Sequence, residues 1–233
     1  MFNLKKKIKF LCSDLEIAKV YPITPAKNYS FEWKKRFSDS VKKNFSPIQQ
    51  KFFYLCPGIN TLHSSGWILL NNRDVYLRTN SDQSIDWKVN YTGSVDYIGS
   101  HEREHFGFFE NWPSHINKTV LKFNTGWSAV IPKNYTLLQM PLIFYDDDRF
   151  TTVSGMYHHT LGLAALTVPV FWNVTSFNET IIKAGTPLAQ LLLIKNEDIG
   201  FEIGNDTSKT KMYDFLTSSS FRPNYKNFLK HFK

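Results

Sequence analysis

The stretch ETIIKAGTPLAQLLLIK, residues 179–195, decides the fold class because two apolar, strand-forming runs flank a Gly-Thr-Pro turn. Similar short runs recur between Cys56 and Lys195: CPGIN, GWILL, DVYLRT, DWKVNY, TVLKF, WSAVI, YTLLQMPLIFY and LAALTVPVFWNV. Turns rich in Gly, Pro, Asn and Asp separate them. No long helical repeats lie between the runs, so we predict a mainly β protein: a single β-sandwich or jelly roll, or a β-clip-like barrel.

Three segments are predicted along the chain: a strand and an amphipathic-helix arm (1–50), a β-rich core domain (51–200) and a basic extension with short helices (201–233). Apolar side chains at near-helical spacing, among them Phe31, Phe37, Val41 and Phe45, predict the helix of the arm, which begins near Ser30. Its aromatic stripe is expected to lie on the core.

The net charge of +8 is concentrated at the two ends of the chain. Residues 1–55 carry 12 basic and 4 acidic side chains and residues 207–233 carry 6 and 1, whereas residues 56–206 carry 10 and 15. A basic groove on the central domain is therefore not expected. The basic ends are suited to an acidic surface, and contact with nucleic acid is one such possibility.

Composition also indicates the cellular compartment in which the protein is expected. Apolar residues make up 42% of the chain, enough for a packed core, and no run approaches the roughly 20 apolar residues of a membrane span. The basic opening lacks the apolar region of a secretion signal, and the two cysteines, Cys12 and Cys56, suit a reducing compartment. We therefore expect a cytoplasmic protein without membrane contact.

The segment from His101 to His105, HEREH, matches the zinc-protease pattern H-E-x-x-H, in which two histidines on one helix face bind zinc. Gly99 and Gly107 leave little room for such a helix, and Asn111 stands where a third histidine would follow. This sequence context favours a short charged turn over a protease site.

A second metal site is conceivable in a cupin-like barrel, which holds iron, manganese or zinc with histidines and a carboxylate from several strands. Its candidate ligands are His101, Glu102, His105, His158 and His159, with His63 as a further partner. Adjacent histidines in an extended segment point to opposite sheet faces, and no acid follows them, so at most one of the pair is expected to bind. A divalent metal ion is thus an open possibility, and no other cofactor is predicted.

Residues for nucleophilic catalysis are not recognisable in the sequence. Cys56 precedes Pro57 and is expected to be a buried thiol, and Asp146–Asp148 are expected to form a turn. Neither a Gly-x-Ser-x-Gly elbow nor a Gly-rich phosphate loop occurs. The catalytic residues therefore remain unassigned.

Sparse markers across about 140 residues resemble an uncharacterised β-rich domain family of tailed phages, especially marine ones, and of bacteria. They are Cys56, Pro57, Gly66, Trp67, Phe106, Gly107, Gly126, Trp127, Gly155, Trp172, Gly185, Thr186 and Pro187. The resemblance implies a phage-encoded protein, located in the host cytoplasm or the virion, and no assigned activity. Trp67, Trp127 and Trp172 either line a pocket or, as is usual, fill the core.

The segment GTPLAQLLLI, residues 185–194, is similar to the closing β-segment of dUTPases and dCTP deaminases. That resemblance implies a β-clip fold and a trimer. The counterpart of their catalytic stretch is Gly155–Gly162, which lacks the aspartate that activates water. The resemblance therefore concerns the fold without the activity.

These observations favour a non-catalytic binding or assembly protein that acts through protein–protein contacts or self-association. A His-ligated metalloenzyme is the alternative, and nucleic-acid contact through the basic ends is a third hypothesis.

Overall fold

The computed structural model describes residues 7–36, 39, 57–90, 96–101, 108–142, 145, 147–175, 177–201 and 203. The chain divides into two compact units, Met1–Asn196 and Glu197–Lys233. The described residues of the second unit, 197–201 and 203, have no regular secondary structure. All elements below belong to the first unit.

The fold is mainly β, as predicted. Its strands are β1 (Lys9–Cys12), β2 (Thr24–Pro25), β3 (Trp67–Leu70), β4 (Val75–Thr79), β5 (Ile85–Val89), β6 (Ile98–His101), β7 (Val120–Val130), β8 (Tyr135–Met140), β9 (Phe150–Thr152), β10 (Gly155–His158), β11 (Ala164–Trp172), β12 (Asn178–Ile182) and β13 (Pro187–Lys195). The helices are α1 (Leu15–Val20) and α2 (Pro57–Ser64), with 3-10 turns at Ala26–Asn28 and His159–Leu161 and a helical turn at 32–36.

The described strands form three antiparallel sheets. Sheet A has the order β1-β7-β11-β9, and β6 lies beside β1 on the same edge of β7. Sheet B has the order β10-β8-β13-β3-β2, and sheet C the order β12-β4-β5. In the described part of the chain the strand orders do not close on themselves, so the arrangement is sandwich-like and not a closed barrel.

The main core lies between the inner faces of the sheets. Phe123 and Trp172 of sheet A, Leu69 and Leu191 of sheet B and Leu77 of sheet C are all fully or almost fully buried in it. The alternation of buried and exposed residues along β4 shows why Val75–Thr79 forms a strand with one solvated face. Trp172 also donates its indole N–H to the Thr79 hydroxyl (3.0 Å), which joins sheet A to sheet C.

A buried hydrogen-bond network connects the sheets around Tyr97. The Tyr97 hydroxyl donates to Asn71 Oδ1 (2.6 Å) and accepts from the Asn72 backbone N–H (3.0 Å). Asn72 in turn donates to the Thr125 carbonyl (2.6 Å). Burial raises the pKa of Tyr97 well above its ordinary value, so its hydroxyl stays a neutral donor.

The segment predicted as an N-terminal arm contributes strands to two sheets, since β1 pairs with β7 and β2 pairs with β3. Of the predicted arm helix, residues 32–36 and 39 are helical, Ser30 and Phe31 are not, and residues 37, 38 and 40–45 lie outside the described part. Phe31 is buried in a second, smaller cluster with Ala26, Ile68 and Leu142. Ile68 and Leu69 point to opposite sides of β3, so this cluster covers the outer face of sheet B.

The prediction that CPGIN is a strand was wrong: α2 begins at Pro57. A proline fits the first turn of a helix because its fixed φ is helical and its missing N–H would have no partner there. The buried side chain of Gln190, on β13, donates to the Leu62 and Ser65 carbonyls (2.7 and 2.8 Å) and so satisfies the end of α2.

Candidate functional site

The predicted metal ligands are distributed over separate elements. His101 is the exposed last residue of β6 and pairs with Val120. His63 is buried in the second cluster, with its ring centroid 5.1 Å from that of Phe31 and 5.2 Å from that of Trp33. Glu102 and His105 lie outside the described residues. Within the described part of the chain, no three His, Cys, Asp or Glu side chains come close enough to share a metal ion.

His158 and His159 lie against each other, with ring centroids 4.1 Å apart. The expectation that they point to opposite faces was wrong because the strand ends at His158 and a 3-10 turn begins at His159. His158 Nδ1 lies 2.9 Å from the Thr160 hydroxyl and is committed to that turn. The pair is therefore a fixed surface feature and not two ligands separated by a sheet.

The tip, defined here as residues 155–163, comprises β10, which pairs with β8 of sheet B, and the turn that leads to β11 of sheet A, and it presents apolar side chains to solvent. Met156, Leu161 and Leu163 are 69%, 57% and 57% exposed. Tyr157 anchors the tip, since its hydroxyl bonds to Gln139 (3.1 Å) and to the Thr167 carbonyl (2.8 Å). Gly162 closes the 3-10 turn at φ +68°. A backbone held in this way exposes its apolar residues at little further entropic cost on binding.

A groove of about 620 Å³ is lined by residues 29–33 and 36, by residues 145 and 147–149, and by the turn 184–187. Tyr29, Trp33 and Tyr145 line it. Burial, and next the charge of Asp147, raises the pKa of Tyr145 far above its ordinary value, so its hydroxyl remains protonated.

Arg149, which also lines this groove, fastens neighbouring segments to each other. Its guanidinium donates twice to Asp147 (2.7 and 2.6 Å), and also to the Ile181 carbonyl (2.7 Å) and the Thr180 hydroxyl (3.2 Å). Loop 147–149 is thereby fastened to β12. The bidentate geometry uses both carboxylate oxygens, so Asp147 is committed to the fold. The sequence shows the acidic triplet but not this pairing.

A second groove, of about 520 Å³, lies on sheet C and is lined by residues of β4, β5 and β12. The Tyr76 side chain lines it and is 45% exposed, whereas Trp87 pairs with the buried Leu77, so its side chain lies on the other face of the sheet. Arg78 lies directly across from Glu179 on one side and Asp86 on the other. Its guanidinium also lies over the Phe177 ring, 5.2 Å from the centroid. Strand alternation identified these strands from sequence but not that they form a groove.

Most of the described residues that carry the phage-family resemblance fill the core or hold turns of the backbone. Trp127 and Trp172 fill the core, and Trp67 packs against it with its ring 5.2 Å from that of Phe10. The described glycines with positive φ among the markers are Gly66 (+69°), Gly126 (+72°) and Gly185 (+88°).

The other marker residues lie at irregular positions or at the starts of strands and helices, where they are described. Gly126 accompanies a register shift between β7 and β11, Gly155 begins β10, and Pro187 is the buried first residue of β13. Pro57 begins α2, whereas Cys56, Phe106 and Gly107 lie outside the described residues. The tryptophans thus have the core-filling role, and neither groove is lined by Trp67, Trp127 or Trp172.

No helix in the described ranges has the length and apolar character needed to cross a membrane. No protein-family model matches the chain, and a search of curated proteins finds no significant match.

Proposed function

We propose that the protein is a non-catalytic assembly protein that associates with further copies of itself through the tip, residues 155–163. The observation that carries the proposal is the exposure of Met156, Leu161 and Leu163 on a hydrogen-bonded, anchored turn. Several large apolar side chains exposed within one short surface segment are a common mark of protein–protein contact.

The energetics favour such a contact. Burying one large apolar side chain contributes about 1.5–3 kcal/mol, so three of them provide several kcal/mol toward association. The free energy gained from burial must exceed the cost of the translational and rotational freedom lost on association. A closed oligomer meets this cost by repeating the contact around its symmetry axis. Tyr157 holds the tip in place before association, which reduces the ordering cost.

The test is light scattering on the purified protein and on Met156→Asp and Leu163→Asp variants, at about 0.1 M and about 0.5 M salt. We expect the wild type to form an oligomer at both salt concentrations, because apolar contacts are not screened. Both variants should be monomers. Leu15→Asp is the matched control, since Leu15 is 82% exposed on α1 and is not part of the tip, so this variant should assemble normally.

A wild type that is monomeric at high protein concentration would refute the proposal. An oligomer that dissociates at the higher salt concentration, and that the tip variants leave intact, would instead indicate assembly through the basic ends of the chain. A phage origin for the protein stays a prediction that rests on the marker residues.

The metalloenzyme remains the second candidate because of the His158–His159 pair, whose His159 Nδ1 is buried without a hydrogen-bond partner. Iron, manganese or zinc in near-stoichiometric amount, measured by elemental analysis of the purified protein, would support it. His158→Ala and His159→Ala variants should then lose the metal, whereas a control substitution of His115 should retain it.

Nucleic-acid contact is tested by electrophoretic mobility of DNA with the full chain and with a variant lacking residues 207–233. Binding that the deletion removes, and that falls steeply with salt, would support this third hypothesis.

A further inference from the structure

The outer face of sheet A carries exposed apolar side chains at the end where β1, β7 and β11 lie side by side. In one row across these strands, Leu11 pairs with Ser128, which pairs on its other side with Ala165. The row beside it consists of residues that belong to the main core or pack against it: Phe10, Ala129 and Ala164. Strand alternation therefore turns Leu11, Ser128 and Ala165 to the outside of the sheet.

Two further apolar residues lie next to this row. Val130 is the last residue of β7 and is 36% exposed, and Leu163 directly precedes β11 and is 57% exposed. Because Ala129 pairs with Ala164, Val130 and Leu163 lie at the same end of neighbouring strands. Leu11, on the other side of β7, is 48% exposed. The sheet A patch is defined by its exposed apolar residues: Leu11, Val130, Leu163 and Ala165.

The opposite end of the same face is covered by the chain itself. Phe171 alternates with core residues on β11 and so points outward, where its ring centroid lies 5.6 Å from that of Trp112. Phe109 packs on Trp112 in turn, with ring centroids 5.8 Å apart. Leu11 and Leu163 have no comparable cover within the described part of the chain, as their exposure shows. The patch is therefore open to a partner.

The composition of sheet A indicates which partner fits. Its described strands contain no Asp, Glu or Arg and only two Lys, Lys9 and Lys122. Lys9 pairs with Val130 beside the patch, and its long side chain can keep the ammonium in water at the rim of a contact. An apolar surface is complementary to an identical copy of itself, whereas a strongly charged surface repels its own copy. A second copy of this chain is therefore a suitable occupant.

The area that a stable contact needs leads to the same occupant. Three large apolar side chains, the number exposed at the tip, bury roughly 200–350 Å², whereas a stable interface buries about 800 Å² on each partner. The tip contact must therefore extend over a neighbouring surface, and the patch adjoins the tip because Leu163 belongs to both. Building on the assembly function proposed above, we propose that the interface between copies runs from the tip over the sheet A patch. The outer faces of sheet A in two copies then pack against each other around a two-fold axis.

The test is light scattering on the full chain over a dilution series. We expect the wild type to contain an even number of copies. Leu11→Asp and Val130→Asp each place a charge in the contact and should raise the protein concentration of half-dissociation about tenfold or more. Leu11→Met keeps an apolar side chain and should change that concentration by about twofold or less. Val130→Thr keeps the β-branched shape but adds a hydroxyl, so it should shift the concentration in the same direction as Val130→Asp, by a smaller factor.

Tyr76→Asp is the matched control, since Tyr76 is 45% exposed on β4 of sheet C and should not affect association. Circular dichroism checks that each variant is folded. An oligomer that Met156→Asp dissociates, but that Leu11→Asp and Val130→Asp leave intact, would overturn this inference alone and leave assembly through the tip standing. A wild type that stays monomeric would overturn both proposals. An odd number of copies, or an equal effect of Tyr76→Asp, would also overturn the two-fold contact through sheet A.

Discussion

Gly66 makes the closest backbone approach of any described glycine, and we predict that Gly66→Ala destabilises the protein strongly. A Cβ at this position would lie 1.9 Å from the carbonyl oxygen of Leu191 and 2.9 Å from its carbonyl carbon. The oxygen cannot turn away, because Leu191 pairs with Trp67 on one side and Gln139 on the other. The substitution therefore has to separate β3 from β13.

The expected magnitude has two parts. Gly66 has φ +69°, and a left-handed conformation costs an L-residue about 1–2 kcal/mol. Moving β3 away from β13 weakens two or so ladder hydrogen bonds at about 1 kcal/mol each. The loss of unfolding free energy should thus be about 3–4 kcal/mol, a large part of the stability of an ordinary domain.

Substitutions at two other glycines measure the conformational cost and the cost of close approach separately. Gly162 has φ +68° with no atom within 4 Å of an added Cβ, so Gly162→Ala should cost only the conformational 1–2 kcal/mol or so. Gly155 has neither the positive φ nor a close neighbour, so Gly155→Ala should change stability by about 0.5 kcal/mol or less. Urea unfolding followed by tryptophan fluorescence measures all three. A Gly66→Ala variant no less stable than Gly162→Ala would refute the argument from close approach.

Three further substitutions test the polar interactions. Tyr97→Phe leaves the two hydrogen-bond partners of its buried hydroxyl unsatisfied and should cost about 2–4 kcal/mol in urea unfolding; a loss under about 0.5 kcal/mol would contradict this. Burial, and next the charge of Lys34, lower the pKa of His63 in the folded protein below its ordinary value of 6.5. Neutral His63 is therefore compatible with the fold above pH 6.5, and stability is lost as the pH falls toward the lowered pKa of the folded state. His63→Leu should therefore flatten the fall in melting temperature between about pH 7 and pH 5. The hydrogen bond and charge of Lys183 lower the pKa of Asp74 below 3.8. Asp74→Asn should therefore lower the melting temperature at neutral pH, and the difference in melting temperature between wild type and variant should vanish as the pH falls through the pKa of Asp74 in the folded state.

The fold class could be predicted because short amphipathic strands carry their own pattern. Buried and exposed residues alternate along Val75–Thr79 as the sequence indicates, and Pro187 begins a strand after a glycine turn. The helix Pro57–Ser64 could not be recognised from the short run CPGIN, because a helix of two turns is too short to show the helical spacing of apolar residues. Pro57 at its first position was the available signal.

The candidate surfaces were harder to predict because they depend on register between distant strands. The row Glu179–Arg78–Asp86 unites residues about a hundred positions apart, and only the pairing of β12 with β4 places them together. The stacking of His158 on His159 depends on a change of backbone from strand to 3-10 turn at one peptide. Neither local pattern nor composition encodes that change clearly.

The edge of β7 that β1 and β6 share has a consequence for synthesis on the ribosome. Lys9–Cys12 pairs with Trp127–Val130, so this strand finds its neighbour only after more than a hundred further residues have been translated. Closing so long a loop delays the contact, and high contact order slows folding. Until then Phe10 and Leu11 lack their β7 partner, and an apolar strand that waits unpaired is a site at which nascent chains can aggregate.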